Sequence, residues 1–283
     1  MNIISFTDLK DKICVITGGA GIIGSSIIEG LASAGVRTAI LDINLEMAEK
    51  VADDIQKKFK IQSMGVMADV LNTESLNNAR NVIHQKLGMI NFLINGAGGN
   101  SPKATTQVET MENQHRDELE KTFFGLDISG FDWVFDLNIK GTLLPVMVFA
   151  RDMIERGEGV ILNISSMTSF RPLTKVPAYS AAKASVNNLT QWLAVHLARM
   201  NIRVNAIAPG FFLTQQNRFL LIDEKTGKPT PRGEKIIAST PMGRYGITDE
   251  LNGTVLYLLS DISKFVTGII IPVDGGYSAY GGV

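Results

Sequence analysis

The sequence predicts an α/β fold in which a parallel sheet is wound with helices on both faces. Three observations predict it. Short β-branched runs alternate with apolar-periodic segments of helical length along most of the chain, the pattern of a parallel sheet covered on both sides. The first such run, ICVIT at 13–17, passes into the glycine turn GGAGIIG and then directly into the periodic segment 22–31. A second glycine-rich strand end, NGAGG, follows at 95–99.

In chain order, Gly19, Gly21 and Gly24 fit GxGxxG between a strand and a helix, the context in which that pattern carries meaning. The glycines permit a tight turn and let a pyrophosphate approach helix amides at the positive end of the dipole. The next predicted strand, 36–41, ends in Asp42, 18 residues beyond Gly24. An acid there accepts the ribose hydroxyls of an adenosine and repels a 2′-phosphate. No Lys or Arg lies inside the turn or directly after Asp42, so the expected cofactor is NAD rather than NADP. A helix at about 45–59, a strand 61–68 closing on Asp69 and Val70, a helix at about 73–87 and a strand 90–94 continue the alternation. Asp69 and Asn95 stand at carboxyl ends of strands, where such sheets bind ligands. Asp69 suits an adenine contact and a cap of the next helix equally well. The small residues Gly96, Ala97, Gly98 and Gly99 suit a flat cofactor or a turn.

From 100 to 130 the rhythm breaks. The stretch is polar, carries five acids between Glu109 and Glu120 and ends in Phe123 and Phe124. A segment this long inside a compact domain is functional or misassigned, and it reads as an excursion over the mouth of the site. A helix at 131–154 carrying Asn138 and a strand at 159–164 come next. This helix, and the one after Tyr179, are apolar around most of their circumference. Helices of that kind need burial beyond the sheet side, so a homo-oligomer is expected. The sixth strand, 202–208, leads to Pro209, Gly210 and Thr214, and the Gly- and Pro-rich run to 243 reads as a lid or an ordinary surface loop. A helix at about 249–259, a strand at 269–273 and the turn Asp274, Gly275, Gly276 complete the sheet. The apolar, glycine-rich tail reads as docked on protein.

The most informative stretch is 163–183, NISSMTSFRPLTKVPAYSAAK. It reads as a strand end with Ser165 and Ser166, a loop, and a helix holding Tyr179 and Lys183 four apart on one face. A phenol titrates near ~10 and a base useful at neutral pH needs roughly 7, a gap of about 4 kcal/mol. One cation at ~4 Å in an effective dielectric of ~20 supplies about that much, so Lys183 alone is expected to activate Tyr179. A Tyr followed by Lys at this spacing is weak by itself, and the upstream serines and the glycine turn give it weight.

The bulk numbers agree. The 283 residues, 45% hydrophobic and 19% charged, allow a large core. No composition break or linker divides them, so one dinucleotide-binding and catalytic domain over 1–283 is expected. A net charge of -1 offers no field for a polyanion, and no nucleic-acid partner is expected. The single Cys14 excludes a disulfide framework and reads as core, while His84, His115 and His196 make no metal-ligand cluster, so no metal is expected. The first residues do not read as a secretory signal. No apolar run reaches the ~18 residues needed to span a bilayer, and a cytoplasmic protein with no membrane partner is expected.

With TGGAGIIG, NGAG, Asn138, Ser166, Tyr179 with Lys183, PGFFLT and VDGG in that order, the chain resembles the short-chain dehydrogenase/reductase family along its whole length. The resemblance implies a Rossmann-type sheet of about seven strands and a catalytic tetrad of Asn138, Ser166, Tyr179 and Lys183. Ser166 is implied over Ser165 because the family's serine lies thirteen residues before the tyrosine. Tyr179 would exchange a proton with the substrate oxygen, Ser166 would hydrogen-bond that oxygen, Lys183 would lower the tyrosine pKa and hold the ribose, and Asn138 would hold a relay water. Cofactor contacts are implied for Gly18, Gly19, Gly21, Ile23, Gly24, Asp42, Asp69, Val70, Asn95, Gly96, Ala97, Tyr179, Lys183, Pro209, Gly210, Phe212 and Thr214. The family's turn has glycine where this chain has Ile22, which leaves the register of the pyrophosphate turn open.

Within the family the chain is similar to the D-mannonate oxidoreductase (fructuronate reductase) branch. INGAGGNSPKATT, LTKVPAYSAAK, IRVNAIAPGFFLTQQNR, TPMGRYG and VDGGYSAYGGV carry that likeness. It implies a sugar-acid substrate, D-mannonate interconverted with D-fructuronate, and a homotetramer. Another polyol or aldonate dehydrogenase, such as a gluconate 5-dehydrogenase, is the alternative enzyme. A catalytically silent NAD sensor is the alternative of another class, which has no need of Tyr179 beside Lys183. A carboxylate in a partly closed site needs cations or amides to replace its water. Lys103, Arg171, Lys175 and Arg218, all next to predicted strand ends or on the lid, are the candidate readers, with Ser166 on the reacting oxygen.

Overall fold

Seven strands form one parallel sheet: β1 (Ile13–Thr17), β2 (Arg37–Asp42), β3 (Ser63–Met67), β4 (Phe92–Asn95), β5 (Gly159–Ile164), β6 (Ile202–Pro209) and β7 (Ile270–Val273). Their spatial order is β3-β2-β1-β4-β5-β6-β7. The computed structural model describes residues 5–214 and 217–282. Residues 1–4, Gln215 and Gln216 of the predicted lid, and Val283 at the end of the tail lie outside that description. The order reverses between β1 and β4, which pair with Thr17 opposite Asn95. A crevice therefore opens beyond the carboxyl ends of those two strands.

Consecutive apolar residues in the strands are explained by cover on both sides. Cys14 and Ile16 of β1, Ile94 of β4 and Leu162 of β5 pack into one core with helices α1 (Ile22–Ser33), α2 (Leu45–Phe59) and, late in the chain, α9 (Asn252–Leu259). Ile13, Val15, Leu93 and Ile161 point the other way, into a core under α3 (Thr73–Lys86), α5 (Gly141–Arg156) and α6 (Pro177–Leu197). Asn44 caps α2 by accepting from the Met47 amide, and Lys60 ends it at φ 59, the left-handed residue that closes many helices.

Some boundaries differ from the sequence reading. The third strand is shorter than expected: its register with β2 runs from Ser63 to Met67, and Gln62 adds only its carbonyl, which accepts from the Thr38 amide at 3.2 Å. The excursion contains short 3-10 turns, among them Pro102–Ala104, Asn113–Asp117 and Phe123–Gly125, and then α4 (Ile128–Phe135). The helix expected at 131–154 starts earlier and widens into a π turn, Asp136–Lys140, before α5. Turns of this kind recur at functional sites. The run Ile128–Arg156 spans 29 residues and contains an 18-residue window of mean hydropathy 1.3, long and apolar enough by length and composition to cross a membrane, which the sequence did not lead one to expect. Half of its most apolar window is buried inside the protein, and the run carries the fully buried Asp152, which is ion-paired to Arg80. The predicted lid holds two helices, α7 (Arg218–Leu221) and α8 (Pro231–Ala238).

Candidate active site

At the crevice, β1 enters its glycine turn at Gly18, whose φ is +62. A Cβ there would lie 2.8 Å from the Ala97 Cα, so the two glycine-rich strand ends touch only because this position is bare. Thr17 Oγ1 ties the same ends together by accepting from the Gly96 and Ala97 amides, each at 3.2 Å. The Gly21 amide donates to the Gly18 carbonyl, and Gly21 is the N-cap of α1. A Cβ on Gly24 would come 2.6 Å from that same carbonyl. Ile22 begins the helix, and the turn itself runs over 18–21. Ile23, partly buried, packs against the core on the α1 side.

The Asp42 carboxylate stands at the end of β2, accepting from the Ala20 amide at 3.3 Å and the Asn44 amide at 3.1 Å. It touches the glycine turn directly. Asp69 is not the cap of α3. That role belongs to Asn72, which accepts from the Ser75 amide, while Asp69 accepts from the Leu71 amide and donates its own amide to Ser75 Oγ. The chain needs three more residues after Asp69 before it turns into the helix, so the cap falls on Asn72. Val70 is buried and would meet a Cβ on Gly141 at 3.0 Å. Asn95 is buried and donates to Asn163 Oδ1 at 2.8 Å, and its Oδ1 has no partner among the described residues.

On the other flank a cavity of about 190 Å³ is lined by Ile23, Gly24, Gly96, Gly98, Ile164, Ser165, Ser166, Tyr179, Lys183, Pro209 and Gly210, with Ile16 and Ile27 at its floor. The sequence-predicted residues from five separate segments meet here. Ser166 and Tyr179 bring their side chains into the same cavity, near enough for Ser166 to favour the phenolate, and Ser166 Oγ accepts from the Thr168 amide at 3.2 Å. Ser165 faces α6 instead, donating to Asn187 Oδ1 at 2.5 Å. Lys183 is only 4% exposed, and its Nζ donates to the Ile164 carbonyl at 2.8 Å. Gly98 passes close beside it and has no room for a side chain: a Cβ would stand 3.1 Å from Nζ and 2.7 Å from Asn138 Oδ1.

Asn138 is fully buried in the π turn. Its Nδ2 donates to the carbonyls of Gly99 and Val134, both at 2.8 Å, and its own carbonyl accepts from Thr142 Oγ1 at 2.8 Å. The side chain thus locks the second glycine strand end to the helix. Gly210 donates to the Val273 carbonyl, Phe212 is buried in the core beside Gly246, and the Thr214 amide donates to Asn217 Oδ1 at 2.8 Å.

The electrostatics correct one expectation. Burial raises the Tyr179 pKa above its ordinary 10, and only the hydrogen bond from Ser166 opposes it. Burial likewise lowers Lys183 from 10.5 to about 8. Both groups have lost water, which favours their neutral forms. The Lys183 ammonium lies 5.7 Å from the phenol ring centroid and is engaged with a carbonyl, so it does not by itself draw the phenol down.

The candidate carboxylate readers do not converge either, and none of them lines the cavity. Lys103 Nζ is paired with Asp127 at 3.7 Å, Arg171 donates to the Tyr280 carbonyl, and Arg218 opens α7 in solvent. Lys175 is half-buried at φ 72, its carbonyl accepting from the Thr106 amide at 2.9 Å. Sequence reasoning missed Thr17 and the Ile164 carbonyl. Thr17 was findable as the hydroxyl that ends the strand before the glycine turn, whereas every residue carries a carbonyl.

A family model described as enoyl-(acyl carrier protein) reductase matches residues 18–278. An uncharacterized oxidoreductase of Haemophilus influenzae is 48% identical over 284 residues, covering 100% of this chain and 99% of that protein. The chain belongs to the short-chain dehydrogenase/reductase family. An uncharacterized oxidoreductase of Bacillus subtilis is similar to this dehydrogenase/reductase at 47% identity, with 98% of each chain covered. A crystal structure of a Haemophilus protein provisionally named a D-mannonate oxidoreductase, with NAD bound, superposes with a TM-score of 0.92 at 48% identity over 98% of both chains. As a member of this family the present chain is a nicotinamide-dependent oxidoreductase.

The cleft fits a dinucleotide. Gly24, Gly96, Gly98 and Gly210 line it with backbone alone, the amide end of α1 faces the turn, and the Asp42 carboxylate ends β2 against that turn.

Proposed function

We propose that the protein is an NAD-dependent dehydrogenase of a sugar acid, interconverting D-mannonate and D-fructuronate at the secondary hydroxyl beside the terminal carbinol. The observation that carries the chemistry is the Ser166 and Tyr179 hydroxyl pair beside Lys183 in one cavity that Gly96 and Gly98 also line. Bound NAD would supply the hydride acceptor in that cavity. Gly18 to Gly24, Asp42, Asp69 and Val70, Asn95 to Ala97, and Pro209 to Thr214 would hold it. Tyr179 takes the alcohol proton during oxidation and returns it during reduction, with Ser166 holding the substrate oxygen. Lys183 and Asn138 keep that pair in register from the α6 and π-turn sides.

NAD is favoured over NADP because the Asp42 carboxylate would repel a 2′-phosphate, and Ile43 and Asn44 after it bring no cation. The sugar-acid reading is supported by likeness over 98% of the chain to the NAD-bound structure provisionally named for D-mannonate. We take the enzyme to be cytoplasmic and tetrameric, with no nucleic-acid or membrane partner.

The test is NADH formation by the purified protein on D-mannonate, D-gluconate and neutral polyols. D-Mannonate should exceed the polyols in kcat/KM by at least roughly tenfold, and NADP should serve poorly. A preference for neutral polyols would overturn the substrate assignment, and equal use of NADP would overturn the role of Asp42.

A further inference from the structure

We infer that Asn187 is a positioning residue that fixes the turn presenting the Ser166 hydroxyl to the Tyr179 phenol. The inference rests on the reading of Ser166 and Tyr179 as the acid–base pair. Ser166 stands at the start of a single 3-10 turn, Met167–Ser169. So short an element has little to set its own direction. It is held from α6, where Tyr179, Lys183 and Asn187 recur at intervals of four and so lie along one face.

The bonds have a fixed polarity. Ser169 Oγ gives its proton to the Ser166 carbonyl at 2.5 Å, which leaves it an acceptor for Asn187 Nδ2 at 2.8 Å. Ser165 Oγ donates to Asn187 Oδ1 at 2.5 Å. One amide therefore grips the residue before Ser166 and, through Ser169, the carbonyl of Ser166 itself. Ser165 has a second acceptor within reach, the Lys183 carbonyl at 3.4 Å. Loss of the amide would free the turn without leaving that buried hydroxyl stranded. The hydrogen bond from Ser166 is the influence that lowers the Tyr179 pKa against burial, so a displaced Ser166 should be read out at the phenol.

The experiment titrates the full-length protein labelled with 13C at the tyrosine ring, with the Tyr179 signal identified by its loss in Tyr179→Phe. Wild type, Ser166→Ala, Asn187→Leu and Ser169→Ala are compared without substrate. We expect all three variants to titrate at higher pH than wild type, with Asn187→Leu and Ser169→Ala moving in the same direction as Ser166→Ala. In turnover, the Asn187 and Ser169 variants should lose about tenfold in kcat, as small misplacements of reacting groups do. Their NAD affinity should stay within about twofold of wild type, and their rate profile should move to higher pH. A purely structural role would lower thermal stability and leave the phenol titration alone. Wild-type titration in Asn187→Leu and Ser169→Ala beside a shifted Ser166→Ala overturns the inference, as does the absence of a shift in all three. Ser169→Ala keeps the test in hand if Asn187→Leu fails to fold. The titration needs no substrate, so a wild type that ignores sugar acids would sink the proposed function and leave this result standing.

Discussion

The Tyr179 phenol holds its proton more tightly here than free tyrosine does, since burial raises its pKa and Ser166 alone opposes the rise. Replacing it by Phe keeps the ring packing and removes the proton. Turnover should fall by roughly 10²–10⁴-fold while NADH binding stays near wild type, measured by steady-state kinetics and fluorescence titration. A Phe variant near wild-type rate would take Tyr179 out of the mechanism. Lys183 gives a second, thermodynamic signature. Its folded-state pKa of about 8 lies below the ordinary 10.5, so between those values the unfolded chain carries the extra proton. By linkage the Lys183 contribution to stability rises with pH across that window, is complete above it and is lost as pH falls through 8. Buried Cys14 and Tyr179, whose pKa values are raised, pull the other way at high pH in wild type. The quantity to read is therefore the difference between wild type and Lys183→Met in urea unfolding. That difference should shift in favour of wild type from pH 8 to pH 10, by an amount on the order of 2 kcal/mol. A flat difference would mean that Lys183 is not desolvated.

At the scale of elements, α5 is pinned to α3 by a contact that no motif announced. Asp152 is fully buried and receives Arg80 Nε at 2.6 Å and the Ile90 amide at 2.9 Å, with His84 Nε2 at 2.5 Å. Removing one partner leaves a buried carboxylate undercompensated, so Arg80→Leu should cost about 3 kcal/mol in urea unfolding. Activity per folded molecule should be unchanged, because none of these residues lines the cavity. A loss below about 0.5 kcal/mol would place Arg80 among ordinary surface pairs. In the sequence Asp152 looks like any acid on a helix. Its burial is decided by α3 crossing over it, and periodicity along one helix cannot report what another helix covers. The cations on the rim failed for the same reason: Lys103 and Arg171 found Asp127 and the Tyr280 carbonyl, partners supplied by folding. What the sequence did carry was local. Tyr179 and Lys183 at spacing four, the strand–glycine–helix junction and Asp42 at a strand end all follow from chain geometry that needs no distant neighbour. The Asn187 amide and the Ile164 carbonyl needed the fold.

Across the whole molecule, the helices on the second face leave apolar residues outward after the core is filled. Met147 on α5 is 56% exposed, and on α6 Trp192 is 58% and Val195 81% exposed. Trp192 is stacked on His196 with ring centroids 4.6 Å apart, which stiffens a flat surface rather than hiding it. Apolar side chains clustered on two adjacent helices are the composition of a subunit interface. The same α6 carries Tyr179, Lys183 and Asn187 on its inner side, so packing against its outer side would also hold the reactive side still. We therefore expect a homotetramer in solution, and Trp192→Glu combined with Val195→Glu to reduce the mass seen by light scattering. If interface packing steadies α6, the smaller species should lose turnover more than NAD affinity. A wild type that runs as a monomer at working concentration would refute the assembly, and a dissociated variant with full turnover would show that α6 is rigid enough alone.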